Sequence, residues 1–178
     1  MILDNMQARL SSLALLHEKT YNTTDFLNIN LNDYMQDQDS TLKTLFGANN
    51  INFISEINKD IHLSIEIITP LLLVVDELTM NAIKHAFPDQ TCLIKPYQKT
   101  IDYMEGNESI CEFILKDNGV GLESPESLIN HNLGWEIVNN LTRQINGEIE
   151  ILDCDVGTGF KITFPKSFEH TLTIIENY

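Results

Sequence analysis

Apolar residues at Leu3, Met6, Leu10, Leu13 and Leu16 share one face of "MILDNMQARLSSLALLHEKTY", broadened by Leu15. That spacing predicts an amphipathic helix. The pattern already runs through Ile2 and Leu3, ahead of either possible cap, Asp4 or Asn5, so the run reads as the inside of a longer helix. In "LNDYMQDQDSTLKTLFG" Tyr34, Leu42, Leu45 and Phe46 come toward one side before Gly47 ends the helix, and its acidic run reads as a solvated face. "INFISEIN" alternates at Ile51, Phe53, Ser55 and Ile57 and predicts a strand. A long helical run follows from Ser64 to Ala86, with Pro70 expected near its first turn and Phe87-Pro88 as its stop.

Two strands, "LIKPYQKTIDYM" and "SICEFILK", are then joined by an "EGNE" turn. "DNGVGLESPESLINHNLG" breaks all periodicity and predicts a long loop, and "GWEIVNNLTRQING" is a helix ending at Gly147. "EIEILD", "GFKITFP" and "HTLTIIENY" read as closing strands. The order predicts an α/β two-layer sandwich, preceded by an N-terminal helix, with helices on one face of a mixed, mainly antiparallel sheet.

Composition narrows the chemistry. The 178 residues, 43% of them hydrophobic, suit one globular domain with a real core. A formal charge of -15, from 26 acidic against 11 basic residues, argues against nucleic acid or an anionic membrane as partner. Cys92, Cys111 and Cys154 form no CxxC pair and predict neither a zinc site nor a disulfide framework; they read as strand core residues of a cytoplasmic chain. No signal peptide precedes them, and the most apolar run, Ile65 to Val75, is too short to span a bilayer.

Three clusters carry candidate chemistry. In "DELTMNAIKHAFPDQ", Glu77, Asn81, Lys84 and His85 fall on one helix face, with Leu72, Val75, Leu78, Ala82 and Phe87 left for the core. Taken alone the polar face reads as solvated, although an Asn in a helix interior contributes little to helix stability. "DNGVG", Asp117 to Gly121, is either a turn after a strand or a loop whose carboxylate accepts from a ligand while Gly119 and Gly121 admit close backbone approach. "GTGF", Gly157 to Phe160, is explained by a hairpin, with Thr158 available to a ligand.

The ordered set decides between these readings. "ELTMNAIKHAFP" resembles the N box, "DNGVGL" the first glycine box, "NLGWEIV" a reduced second glycine box and "GTGFKITFP" the closing glycine motif of the histidine kinase catalytic domain of the GHKL superfamily, the Bergerat fold. The likeness runs from about Asn28 to Pro165. "LLHEKTY" is similar to the end of the dimerisation and phosphotransfer helix in the subfamily with the "NELxxNAxKHAFP" form of the N box. This implies a helix remnant over 1–22 and an ATPase-like catalytic domain over 23–178.

The resemblance implies ATP with Mg²⁺ as cofactors. Asn81 would offer oxygen to the metal, assisted by Glu77 through a metal-bound water or as proton acceptor, and Lys84 and His85 would face phosphate. Asp117 would accept the adenine exocyclic N–H, Gly119 and Gly121 would permit the lid's turn, and Thr158 would sit near the base. Asn132, Leu133 and Gly134 would aim backbone N–H groups at phosphate from a helix N-terminus.

The implied activity is transfer of the γ-phosphate to a histidine, relayed to a response regulator aspartate in a dimeric parent protein. No acceptor motif precedes Met6, and His17 fits a helix interface better than an acceptor, so the phosphorylated histidine is expected outside this chain. Trp135 reads as core rather than as an adenine-stacking ring. Departures are Gly134-Trp135 where Gly-Leu is usual, and Asp76 where the subfamily often has Asn. The alternatives are an anti-sigma-type serine kinase on the same fold, a degenerate member without catalysis, and a plain α/β interaction domain.

Overall fold

The computed structural model describes residues 10, 14, 29–45, 51–53, 57, 61–87, 92–97, 104–105, 108–122, 124 and 133–166. Leu10 and Ala14 are helical and exposed; the rest of the N-terminal helix, the lid between 125 and 132 and the last expected strand, "HTLTIIENY", lie outside the described residues. The elements are β1 (Ile29–Asn30), α1 (Leu31–Leu45), β2 (Ile51–Phe53), β3 (His62–Leu63), α2 (Ile65–Asn81), a π-helical turn (Ala82–Ala86), β4 (Cys92–Tyr97), β5 (Met104–Glu105), β6 (Glu108–Asp117), α3 (Leu133–Gln144), β7 (Glu148–Leu152) and β8 (Gly159–Pro165).

The main sheet runs β2-β4-β6-β8-β7, with β5 paired to β6. Only β2 and β4 pair in parallel among the described strands; every other pairing is antiparallel. The mixed, mainly antiparallel α/β sandwich is therefore as the pattern predicts. The period-2 alternation of β6 and β8 builds its inner face. Cys111, Phe113 and Leu115 are buried and stand opposite Phe164, Ile162 and Phe160, while Ile149 and Ile151 of β7 extend the same layer. On the outer face the Glu150–Lys161 cross-strand pair closes to 2.6 Å between half-exposed and exposed side chains, a geometry that adds little stability in water.

Helices α2 and α3 pack together over the inner face. Along α3, Gly134, Val138 and Thr142 are buried at four-residue steps, so one stripe of an otherwise polar helix meets the core. Its left-handed residue at the C-terminus is Asn146 (φ 53°) rather than Gly147, and the Gly147 N–H returns to Thr142 O at 2.9 Å.

Four local features differ from the expectations. Pro70 lies in the second turn of α2 rather than the first. It removes the N–H that would reach the Glu66 carbonyl, and the helix continues because Glu66 sits on the solvent side, where water can serve that oxygen. The two-residue strands β1 and β3 form a small separate sheet, Ile29↔Leu63 and Asn30↔His62, too short to show any periodicity. Of the expected strand from Leu93 to Met104, 93–97 belong to β4 and Met104 begins β5, which pairs antiparallel with β6, while 98–103 and the expected turn at 106–107 lie outside the described residues. Cys154 follows β7 in a loop and is half-buried, so of the cysteines only Cys111, wholly buried on β6, is shown as strand core among the described residues.

Candidate functional site

Helix α2 is rich in apolar residues, and its buried run continues without interruption from Val74 to Met80. Asp76 and Glu77 fall inside that run and are only 1% and 4% exposed. A solvated face is thus excluded at Glu77. Burying a carboxylate is unfavourable unless it is compensated, and Glu77 is not without an interaction partner in the fold.

After Asn81 the helix widens into the π-turn Ala82–Ala86, which holds an extra residue within one turn. Such turns occur mostly as local bulges and often at functional sites. The π-turn carries Lys84, half-buried, and His85, exposed, and it ends where Phe87 takes φ -128° and ψ 75°.

The glycine loop after β6 docks on that same turn. The Val120 N–H donates to Ala86 O at 2.9 Å, and a Cβ on Gly119 would lie 2.3 Å from Ala86 O and 2.4 Å from Ala86 Cβ. Only a residue without a side chain allows this approach. Gly121 (φ +77°) and Gly157 (φ +74°) both occupy the left-handed region, and a Cβ on Gly121 would meet Gly157 O at 3.2 Å. The loop root and the β7–β8 hairpin therefore touch through two glycines.

Asp117, the last residue of β6, is fixed from both sides. Its Oδ1 accepts from the Gly119 N–H at 2.9 Å and from the Thr158 N–H at 3.1 Å, while its own N–H donates to Thr158 O at 2.9 Å. With Oδ1 so occupied, Oδ2 is the oxygen left to accept from a ligand. Burial pushes the Asp117 carboxyl above its ordinary value, and the hydrogen bonds from Gly119 and Thr158 act in the opposite direction.

These parts enclose a cavity of about 290 Å³. Its polar lining is Asn81, His85, Asp117 and Thr158; Gly121 and the apolar Leu78, Ala82, Ala86, Leu122 and Phe160 complete it. A largely apolar cleft with a few convergent polar groups is the usual form of a small-molecule site. Five of the expected site residues, Asn81, His85, Asp117, Gly121 and Thr158, thus line one room, while Gly119 shapes its wall. Glu77 and Lys84 are on α2 and the π-turn beside it but outside its lining, as are Leu133, 70% exposed, and Gly134, buried. Asn132 lies outside the described residues.

Leu78, Ala82 and Phe160 escaped the sequence reading as site residues because a pocket floor and a core share one apolar signature. Trp135 lies outside the cavity lining and packs against Phe160, ring centroids 6.1 Å apart and planes at 41°.

The architecture is that of histidine kinase catalytic domains. The histidine kinase domain of the Erythrobacter litoralis EL346 blue-light activated histidine kinase superposes with a TM-score of 0.75 at 21% identity, covering 91% of this chain and 75% of that one. A longer structure of the same kinase gives 0.74 at 23% identity over 92% of this chain and 54% of its own. The catalytic domain of the histidine kinase ThkA gives 0.63 at 22% identity, covering 78% of this chain and 95% of that one. At these identities the likeness establishes the fold. No family model matches the chain, and no curated protein matches it.

Proposed function

We propose that this chain is the ATP-binding catalytic domain of a sensor histidine kinase, and that it delivers the ATP γ-phosphate to a histidine outside the chain for relay to a response regulator aspartate. The observation that carries the reading is Asp117: a recessed carboxylate whose Oδ1 is held by two backbone N–H groups, in a largely apolar cavity of about 290 Å³, on this fold. Oδ2 would accept the exocyclic N–H of adenine, and guanine would be rejected because it presents a carbonyl at that position. Leu78, Ala82 and Phe160 would cover the base, and the Thr158 hydroxyl would reach its edge.

The phosphates would extend along Asn81 and His85 toward Lys84, whose ammonium offsets their charge, and toward the N–H groups at Asn132, Leu133 and Gly134. The donors available for a cation here are the Asn81 amide oxygen and the Glu77 carboxylate. Among the described residues no cluster of three or more His, Cys, Asp or Glu forms a closed metal cage. Hard oxygen donors, few in number, suit Mg²⁺, which keeps several waters and takes its other ligands from phosphate. When bound, Mg²⁺ neutralises phosphate charge; the chain's own groups orient the nucleotide and hold the γ-phosphate for attack. Glu77, one turn before Asn81, is the group to take a proton from the incoming imidazole or to hold a metal-bound water.

The parent protein would be a homodimer, with 1–22 a remnant of its dimerisation helix and 23–178 the catalytic domain. Among the described residues no helix is long and apolar enough to cross a membrane. The test is calorimetric titration of ATP, with and without Mg²⁺, into the wild-type chain and the Asp117→Ala and Asn81→Ala variants. Asp117→Ala should abolish binding under both conditions, whereas Asn81→Ala should remove the gain from Mg²⁺. Failure of the wild type to bind ATP would refute the reading. Phosphate appearing on serine of a protein substrate, rather than on the histidine of an added acceptor helix, would make it an anti-sigma-type kinase.

A further inference from the structure

Phe160 is the aromatic member of the cavity lining, and its ring is the largest apolar surface there that a flat base could lie against. It stands on β8 between Leu115 of β6 and Ile151 of β7. Those backbone pairings fix the strand, but they leave the orientation of the phenyl ring to its side-chain neighbours. A ring that covers a ligand in one pose needs a neighbour that keeps it from turning.

Trp135 is placed to do this. It lies in the first turn of α3, half-buried against the core, with its ring centroid 6.1 Å from that of Phe160 and the two planes at 41°. That separation is within the range over which aromatic pairs attract beyond their area of contact, an effect equivalent to about two- to tenfold in an equilibrium constant. The Trp135 carbonyl also accepts from the Asn139 side-chain amide at 2.9 Å, a bond within the turn that carries the ring. Trp135 is outside the cavity lining, so its influence on a ligand passes through Phe160.

We propose that Trp135 is a positioning residue for the base: its ring locks the Phe160 ring in the orientation that covers the ligand, so that α3 contributes to base binding through one aromatic contact. The identity of the base as adenine rests on the ATP-binding reading above. Because the contact is at the base, its loss weakens every ligand that carries that base by the same factor, with or without phosphates. A role confined to the phosphate end of α3 would spare adenosine.

The experiment uses the whole chain as wild type, Trp135→Leu, Trp135→Phe, Phe160→Leu and the Trp135→Leu/Phe160→Leu double variant. ATP is titrated calorimetrically, and adenosine by displacement of ATP. Trp135→Leu should weaken ATP and adenosine alike, by about two- to tenfold. Trp135→Phe, which keeps an aromatic face toward Phe160, should restore most of the loss. In the double variant the Trp135 change should cost no further affinity, although each change lowers the urea midpoint. Trp135 is the one tryptophan of the chain, so its emission reports the contact in the unaltered protein, and adenosine alone should change it. A Leu variant that binds ATP like the wild type overturns the inference, as do a loss for ATP that spares adenosine, additive losses in the double variant, or an emission silent to adenosine. The emission measurement stands even where a variant fails to fold. A wild-type chain that binds no ATP removes the nucleotide reading itself, and the inference with it.

Discussion

Replacing Asp117 by Asn separates the two jobs of this side chain. The amide keeps a carbonyl oxygen where Oδ1 accepts from the Gly119 and Thr158 N–H groups at 2.9 and 3.1 Å, so the loop and hairpin remain tied. It puts an NH2 where Oδ2 stood, so on the proposed reading a donor would face the adenine amino group. A hydrogen bond to a charged acceptor contributes about 1.5–3 kcal/mol, and tenfold in affinity corresponds to about 1.4 kcal/mol. Asp117→Asn should therefore weaken ATP about 10- to 150-fold by calorimetric titration, and it should favour a 6-oxo purine such as ITP over ATP. Urea unfolding should place its stability within about 1 kcal/mol of the wild type. Asp117→Ala, by contrast, strands both N–H groups, at about 1–3 kcal/mol each. An Asn variant with wild-type ATP affinity, or one as destabilised as the Ala variant, would refute this division of labour.

Three further predictions concern the same frame. Because burial raises the folded-state pKa of Asp117 above its ordinary 3.8, the folded chain holds this proton more tightly than the unfolded one. Its unfavourable contribution is absent below the unfolded value, grows as pH rises through the window between the two, and is complete above the folded value; in Asp117→Asn that part of the stability profile, followed by urea midpoints, should flatten. Gly119→Ala forces a Cβ to within 2.3 Å of Ala86 O and disrupts the Val120 to Ala86 hydrogen bond, so thermal denaturation should report a loss of about 1–3 kcal/mol, together with weaker ATP binding. Phe113→Ala, at a wholly buried position of β6 outside the cavity lining, should cost about 3–5 kcal/mol in urea unfolding while the remaining folded fraction keeps wild-type ATP affinity.

Much of this architecture is legible in the sequence because period and punctuation act locally. The alternation in "SICEFILK" and "GFKITFP" places Phe113 and Ile162 inward, and they are buried partners in the sheet. The ordered motifs likewise lead to Asn81, Asp117, Gly121 and Thr158, which line one cavity. What is not legible depends on tertiary context. Asp76 and Glu77 have the composition of a wet face, and only the packing of α2 buries them. The π-turn has no side-chain signature, and its last residue, Ala86, receives the loop root at Gly119 and Val120 only in the folded chain. A two-residue strand such as β1 is shorter than any period that could reveal it. Cys154 reads as a strand core residue because no pairing or metal pattern claims it, yet the strand ends at Leu152 and Cys154 falls in the loop before Gly157.

The reciprocal clasp between Asp117 and Thr158 joins residues 41 positions apart in the chain. Until the β6–β8 hydrogen bonds from Ile110↔Pro165 to Lys116↔Gly159 are in step, the recognition carboxylate has no fixed orientation, and a slip of one residue would turn it away from the cavity altogether. Nascent or misregistered chains would consequently be blind to the nucleotide of the proposed function. A ligand that binds only the completed site adds RT ln(1 + [L]/Kd) to the folded state and nothing to its misaligned competitors. On the proposed ATP-binding reading, cellular nucleotide would then act as a quality control on strand alignment, rewarding correctly assembled copies over those that have merely collapsed.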